Sequence, residues 1–133
     1  MIQFLFPFAD WGFVILRVAL GLLLLRHGAP KLKDVKGTGQ WMASVGFKPG
    51  VFWAALVGAL EVFGGLALVL GFFTQIISGL FAIQFIVILL TLKRKAGLKD
   101  KEYDVLILAV LLFFVVAGGG GLSLDEYFTI IFY

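Results

Sequence analysis

The chain has 133 residues, of which 62% are hydrophobic and 14% are charged, and its mean hydropathy is +1.09. A water-soluble domain carries about 25% charged residues, so this composition indicates a protein whose solvent is the lipid bilayer. The sequence has no cysteine and a single histidine. These counts exclude a disulfide framework, a thiolate metal site and a metal or haem centre held by several histidines of this chain.

Four apolar segments follow one another along the chain, at about residues 8–25, 51–73, 74–92 and 103–121. A membrane-spanning helix needs about 20 residues, and the residue alternation typical of barrel strands is absent from these segments. We therefore expect residues 1–133 to form one all-α transmembrane domain, a bundle of four transmembrane helices. The short connection Phe72-Phe73-Thr74 predicts that the second and third helices are antiparallel neighbours.

The first connection contains the stretch "TGQWMASVGFKPG", in which Trp41, Met42 and Val45 share one face of a helix. Tryptophan is favoured at membrane–water interfaces, and an amphipathic helix can lie in the interfacial plane. The sequence therefore predicts a short interfacial helix between the first two membrane helices, with a mobile loop as the alternative.

The basic residues predict the orientation of the bundle. Ten of the eleven Lys and Arg residues lie in or beside the first and third connections: Arg26, Lys31, Lys33, Lys36, Lys48, Lys93, Arg94, Lys95, Lys99 and Lys101. Because basic loops remain in the cytoplasm, we expect a multi-pass protein of the plasma (inner) membrane with both termini on the outer side. This placement explains the net charge of +3 without a nucleic-acid partner.

Three polar residues lie near the midpoints of predicted spans, namely Arg17, Glu61 and Gln84. An isolated charge at the bilayer centre costs at least about 2.5–3.5 kcal/mol, so the sequence predicts that Arg17 pairs with Glu61 and that Gln84 joins them in a polar centre. Two interpretations stay open. The pair either fixes which helix faces which, or it forms a proton-carrying or ligand-binding centre.

The stretch "LRHGAPKLK" marks the cytoplasmic end of the first span, where Gly28 and Pro30 are expected to end the helix. His27 has two interpretations. It either interacts with the dipole at the helix C-terminus, or it donates to a quinone carbonyl at the interface with Lys31 or Trp41 nearby. In the third connection, "KDKEYD" is interpreted as a solvated charged loop, with Asp104 as a possible helix N-cap.

These residues carry a resemblance to the DoxX family of small four-helix membrane proteins. Its pattern is present as Arg17, His27-Gly28, Lys31 and Glu61-x-x-Gly64-Gly65, and it closes with a glycine turn and Ser123-Leu124-Asp125. The matching stretches are "LRVALGLLLLRHGAPKL", "GALEVFGGLALVLGFFTQ" and "GGGGLSLDEY", so the resemblance extends over nearly the whole chain. Thr74-Gln75 departs from the Thr-Arg that often follows the second helix, and the glycine turn lacks the usual proline.

The resemblance implies a membrane subunit beside quinone-linked redox enzymes, because the family is named after a subunit associated with quinol oxidase and thiosulfate:quinone oxidoreductase. On this basis we expect no cofactor within the chain itself, a quinone as the ligand, and partner redox subunits or further copies of the chain in the bilayer. It implies no catalytic residue. The alternatives are a binder or transporter of a small or lipidic molecule and a structural assembly factor.

Overall fold

A computed structural model describes residues 7–128, and those residues form six helices without a β-strand. The helices are α1 (Ala9–Lys33), α2 (Val35–Ser44), α3 (Gly50–Leu70), α4 (Thr74–Leu90), α5 (Leu98–Ala117) and the single turn α6 (Leu124–Tyr127). The all-helical prediction is therefore confirmed, and α2 is the helix expected between the first two long helices. The predicted positions of both chain ends concern residues that lie outside the described range.

Helix α1 is longer than predicted, because it does not end at Gly28 or Pro30 but continues to Lys33. Proline removes one backbone donor and would leave a carbonyl unpaired one turn earlier. Here Pro30 lies in the last turn, where the Pro30 carbonyl accepts from the Asp34 amide. This extension moves the helix midpoint from the neighbourhood of Arg17 to Gly21, and it places Lys31 on the helix.

Helices α1 and α3 pack closely in an antiparallel arrangement, and glycines set their distance. A β-carbon on Gly21 would lie 2.6 Å from the Gly65 carbonyl oxygen, and one on Gly28 would lie 3.0 Å from the Val62 amide nitrogen. Only a residue without a side chain fits where two helix backbones approach this closely. The resulting register places Gly28 level with Glu61 and places Arg17 level with Gly71.

The remaining helices form a second unit. A tight turn at 71–73 joins α3 to α4, with Gly71 in the left-handed region at φ 74°, and Gly64 of α3 lies against the ring of Phe81. Helix α4 packs mainly on α5, whereas α1 and α2 pack mainly on α3. The bundle thus consists of α1–α3 and α4–α5, and these two units meet less extensively than their own helices do.

Two helices, α1 and α3, are long and apolar enough to cross a membrane, and α4 is a shorter apolar helix of 17 residues. At 1.5 Å per residue, α4 is about 26 Å long, close to the hydrocarbon thickness of about 30 Å. Helix α5 begins five residues earlier than the predicted span and carries charged residues in its first two turns. Four crossings therefore remain a prediction.

The two ends of the bundle differ in chemistry. One end holds α2 and the connection between α4 and α5, and we call it the basic end because ten of the eleven Lys and Arg residues lie in or beside these connections. The other, the glycine end, holds the 71–73 turn, the Gly118–Gly121 run and α6. A buried apolar core lies between them, formed by Leu20, Leu24, Leu68, Phe81, Ala82, Phe85, Ile107, Leu111 and Phe114.

Candidate functional site

A cavity of about 560 Å³ lies in the basic half of the bundle, between the α1–α3 unit and the α4–α5 unit. All of the first five helices contribute to its walls, which are mostly apolar side chains such as Leu24, Leu60 and Ile88. Glu61 and Gln84 line its deep end, half-way along α3 and α4. The combination of apolar walls and a few convergent polar groups is typical of a small-molecule site. We call it the large cavity.

Glu61 is held by two neighbours within this cavity. The Lys31 Nζ donates to both carboxylate oxygens at 2.8 Å, and the Gln84 Nε2 donates to Glu61 Oε1 at 2.7 Å. The Glu61 side chain is only 3% exposed, whereas that of Lys31 is 27% exposed. A buried carboxylate is therefore compensated by an ammonium group that reaches it from the rim.

Helix geometry explains why Lys31 reaches Glu61. Side chains on an α-helix tilt toward its N-terminus, and the N-terminus of α1 lies at the glycine end. Lys31 is level with Gly58, so its side chain runs back along α1 into the bundle and meets Glu61 about one turn deeper. The sequence did not indicate Lys31 as the partner of Glu61, because the predicted helix end at Gly28 and Pro30 placed Lys31 beyond the helix.

The predicted pairing of Arg17 with Glu61 is wrong in this structure. The level of Arg17 on α1 lies eleven residues from that of Gly28, the residue opposite Glu61, which is about 16 Å along the helix axis. The side chain of Arg17, like that of Lys31, tilts toward the N-terminus of α1. For Arg17 this direction leads away from Glu61, toward the glycine end. There its Nη1 donates to the Gly119 carbonyl and its Nη2 to the Leu122 carbonyl at 3.0 Å.

Arg17 belongs to a polar cluster that closes the glycine end. Within this cluster, Asp125 accepts from the amides of Phe73 and Thr74, and the Asp125 amide donates to the Gly71 carbonyl at 2.9 Å. Both Arg17 and Asp125 are buried. A separate cavity of about 360 Å³ adjoins this cluster. Through these hydrogen bonds, the sequence motif Ser123-Leu124-Asp125 connects the glycine run to the start of α4.

The residues predicted as a headgroup site, His27, Lys31 and Trp41, all line the large cavity. Glu61 and Gln84 line the same cavity. The structure therefore brings the predicted headgroup site together with two residues of the predicted polar centre, which the sequence indicated as separate sites. Trp53 stands with Trp41 in the wall, and both come from the basic end of the bundle. His27 and Trp41 are exposed, so they lie at the rim.

Sequence reasoning missed a second ion pair in the cavity wall. Asp104 accepts from the Lys93 Nζ, and both residues line the large cavity. Asp104 is buried within α5, so it is neither a solvated loop residue nor the N-cap of this helix. The spacing of Asp104, Ile107, Leu111 and Phe114 follows one helical face, and that periodicity was the signal for burial.

Comparisons with known proteins show which family the chain belongs to. The profile of the DoxX family matches residues 12–94, a range that contains Lys31, Glu61 and Gln84. The chain is similar to the Bacillus subtilis (strain 168) protein named "Putative oxidoreductase CatD", with 32% identity over 117 residues, which is 87% of this chain and 86% of the relative. It is also similar to the Escherichia coli (strain K12) protein "Inner membrane protein YphA", with 37% identity over 68 residues, 51% of this chain and 49% of the relative. No solved structure matches the chain.

Proposed function

Because the chain belongs to the DoxX family of membrane proteins, we propose that it is the membrane component of a quinone-linked oxidoreductase and binds the quinone headgroup in the large cavity. One observation carries this proposal, namely an apolar cavity between helices whose deep end bears the Lys31–Glu61 pair. A cavity of about 560 Å³ lies within the range of about 300–1,000 Å³ usual for small-molecule sites.

The chemistry of the cavity suits a flat ring with a polar edge and an apolar tail. Lys31 has three ammonium donors and directs hydrogen bonds at the two oxygens of Glu61, so one N–H remains for a ring oxygen. The apolar walls would accept the ring faces and the first part of the tail. His27, at the rim, adds an imidazole that can donate or accept a hydrogen bond.

This chain would bind and orient the quinone, and a partner protein would exchange electrons with it. The sequence has no cysteine and one histidine, so a thiolate-bound iron–sulfur cluster or a bis-histidine haem has to belong to another subunit. The name of the Bacillus subtilis relative, which assigns it to the oxidoreductases, supports this context. Glu61 supplies a carboxylate beside the ring, where proton exchange with a quinone oxygen takes place.

Tryptophan fluorescence tests the binding step, because two of the three tryptophans line the cavity and Trp11 lies in the first turn of α1. The Trp11→Phe variant, purified in lipid nanodiscs and titrated with decylubiquinone, should show saturable quenching. Lys31→Met in this background should weaken the binding roughly tenfold, since it removes a charged donor.

The matched control is the double variant Trp41→Phe with Trp53→Phe, which retains only Trp11. Its fluorescence should fall without saturation, as expected for quinone dissolved in the surrounding lipid. Equal, unsaturable quenching in both proteins would contradict the proposal.

The wide apolar wall also fits the alternative of a binder or carrier of another lipidic molecule. Native-membrane purification followed by mass spectrometry of extracted small molecules distinguishes the two. A co-purified quinone supports the proposal, whereas a different bound lipid supports the alternative. A chain that binds neither would be a structural assembly factor.

A further inference from the structure

We propose that the large cavity selects the hydroxylated, reduced form of the ring over its carbonyl form, because its deep end presents a fixed hydrogen-bond acceptor, Gln84 Oε1. The inference rests on the proposed function and adds the oxidation state of the preferred ligand to it. It concerns a hydroquinone-type ring, whose oxygens carry protons, against a quinone, whose oxygens do not.

Glu61 fixes the orientation of the Gln84 amide. The Gln84 Nε2 donates to Glu61 Oε1 at 2.7 Å, and Lys31 keeps this carboxylate in an ion pair. An ionised carboxylate only accepts hydrogen bonds. The opposite amide orientation would set Gln84 Oε1 against a carboxylate oxygen, with two acceptors facing each other. The amide oxygen is therefore directed away from Glu61.

The same amide oxygen is buried and has no hydrogen-bond partner within residues 7–128. Glu61 and Gln84 both line the large cavity, and this oxygen lies just beneath its surface, so a ligand hydroxyl at the deep end reaches it once a neighbouring side chain shifts. A buried acceptor without a donor is unfavourable. A ligand that brings a donor to this position satisfies the oxygen, and one that brings only acceptors leaves it unpaired.

The two oxidation states of the ring differ in this respect. A hydroquinone hydroxyl donates its proton to Gln84 Oε1, whereas a quinone carbonyl offers only lone pairs. Lys31 does not discriminate between the two, because its remaining N–H donates equally well to a hydroxyl or to a carbonyl oxygen. Both oxygens of Glu61 already accept hydrogen bonds from Lys31 or Gln84, so the acceptor that gains a donor from the ligand, and with it the discrimination, is Gln84 Oε1. One unmet buried acceptor corresponds to about a tenfold difference in dissociation constant, equivalent to about 30 mV for a two-electron couple.

Anaerobic calorimetry in nanodiscs tests this preference, with decylubiquinol, decylubiquinone and the dimethyl ether of decylubiquinol as ligands and empty nanodiscs as the blank. Decylubiquinol should bind about tenfold more tightly than the other two. The dimethyl ether separates the hydrogen bond from the oxidation state, because it has the reduced ring without its donors.

Three variants locate the effect. Gln84→Leu should bring the three affinities together, and Glu61→Gln should do so in part while binding persists, because a neutral partner lets the Gln84 amide turn over. Gln75→Leu is the matched control: this glutamine lies near the glycine end, where it donates to the Val115 carbonyl, and its replacement should keep the tenfold ratio.

Equal affinities for quinol and quinone in the unaltered protein would overturn the inference and leave the proposed function standing. A tenfold ratio that survives in Gln84→Leu would also overturn it. If neither ligand binds, the proposed function fails together with the inference.

Discussion

Glu61 shows how far single residues could be interpreted from the sequence. Its midpoint position correctly suggested a neighbour on α4, and Gln84 is that neighbour. The cation was wrongly assigned, because the predicted helix end excluded Lys31 and because midpoint depth alone leaves out the tilt of helix side chains toward the N-terminus, which directs Arg17 away from Glu61. Arg17 and Lys31 both lie on α1 and tilt the same way, so Lys31 reaches Glu61 in the middle of the bundle while Arg17 reaches the glycine end.

Replacement of Lys31 by methionine should destabilise the protein, because it leaves the Glu61 carboxylate buried with one neutral partner. Removal of one member of a buried ion pair costs about 3 kcal/mol, and the partial exposure of Lys31 places the expected value below this. Adding Glu61→Gln to Lys31→Met should recover most of the loss. Thermal unfolding in mild detergent measures both effects.

The matched control is Lys33→Met, which removes an exposed lysine two residues further along α1. Its unfolding temperature should stay close to that of the unaltered protein. A double variant as unstable as Lys31→Met alone would show that the loss is not due to an unpaired carboxylate.

At the scale of helices, the contact between α1 and α3 depends on where glycine occurs. Gly21 faces the backbone of α3, whereas Gly12, in the same helix, has open space where a β-carbon would lie. The sequence alone could not rank these glycines, since glycine looks the same at a contact and on a lipid-facing surface.

Gly21→Ala should therefore lower the free energy of unfolding by roughly 1–3 kcal/mol, the usual range for forcing an additional carbon into a packed contact. Gly12→Ala should be neutral or stabilising by up to about 1 kcal/mol, because alanine is the better helix former. Denaturation by increasing SDS in mixed micelles compares the two variants. A loss at Gly12 as large as that at Gly21 would contradict the packing argument.

The short helix α6 contributes to stability through Asp125, whose carboxylate accepts hydrogen bonds from the Phe73 and Thr74 amides at the start of α4. Asp125→Ala should destabilise the bundle by about 2 kcal/mol, because hydrogen bonds to a charged group are lost and two amides are left without an acceptor. Glu126→Ala is the control, since this neighbouring carboxylate is exposed. Thermal unfolding distinguishes them, and equal unfolding temperatures for the two variants would refute the role of Asp125.

At the scale of the whole molecule, the two units meet around the large cavity and are tied together at the glycine end. The sequence predicted the all-helical composition, because hydropathy and the glycine run mark the segments. It could not predict the cavity, because the walls come from five helices and depend on packing between residues far apart in the chain.

The charge distribution predicts that the basic end faces the cytoplasm. The absence of cysteine makes this easy to test with Lys99→Cys in the first turn of α5 and Glu126→Cys at the glycine end, both at exposed positions. On intact cells, a membrane-impermeant maleimide should label Glu126→Cys at once and Lys99→Cys only after permeabilisation. The reverse labelling pattern would show that the basic end, with the large cavity, faces the outer side of the membrane.

The tied glycine end has a consequence for energy conversion. Apolar core side chains such as Leu20, Leu68 and Phe81 separate Glu61 from the Arg17–Asp125 cluster. Under the proposed function, protons exchanged at Glu61 would therefore not cross to the glycine end, because the side chains between are apolar. On that proposal, charge separation across the bilayer would arise from the electron path of the partner protein.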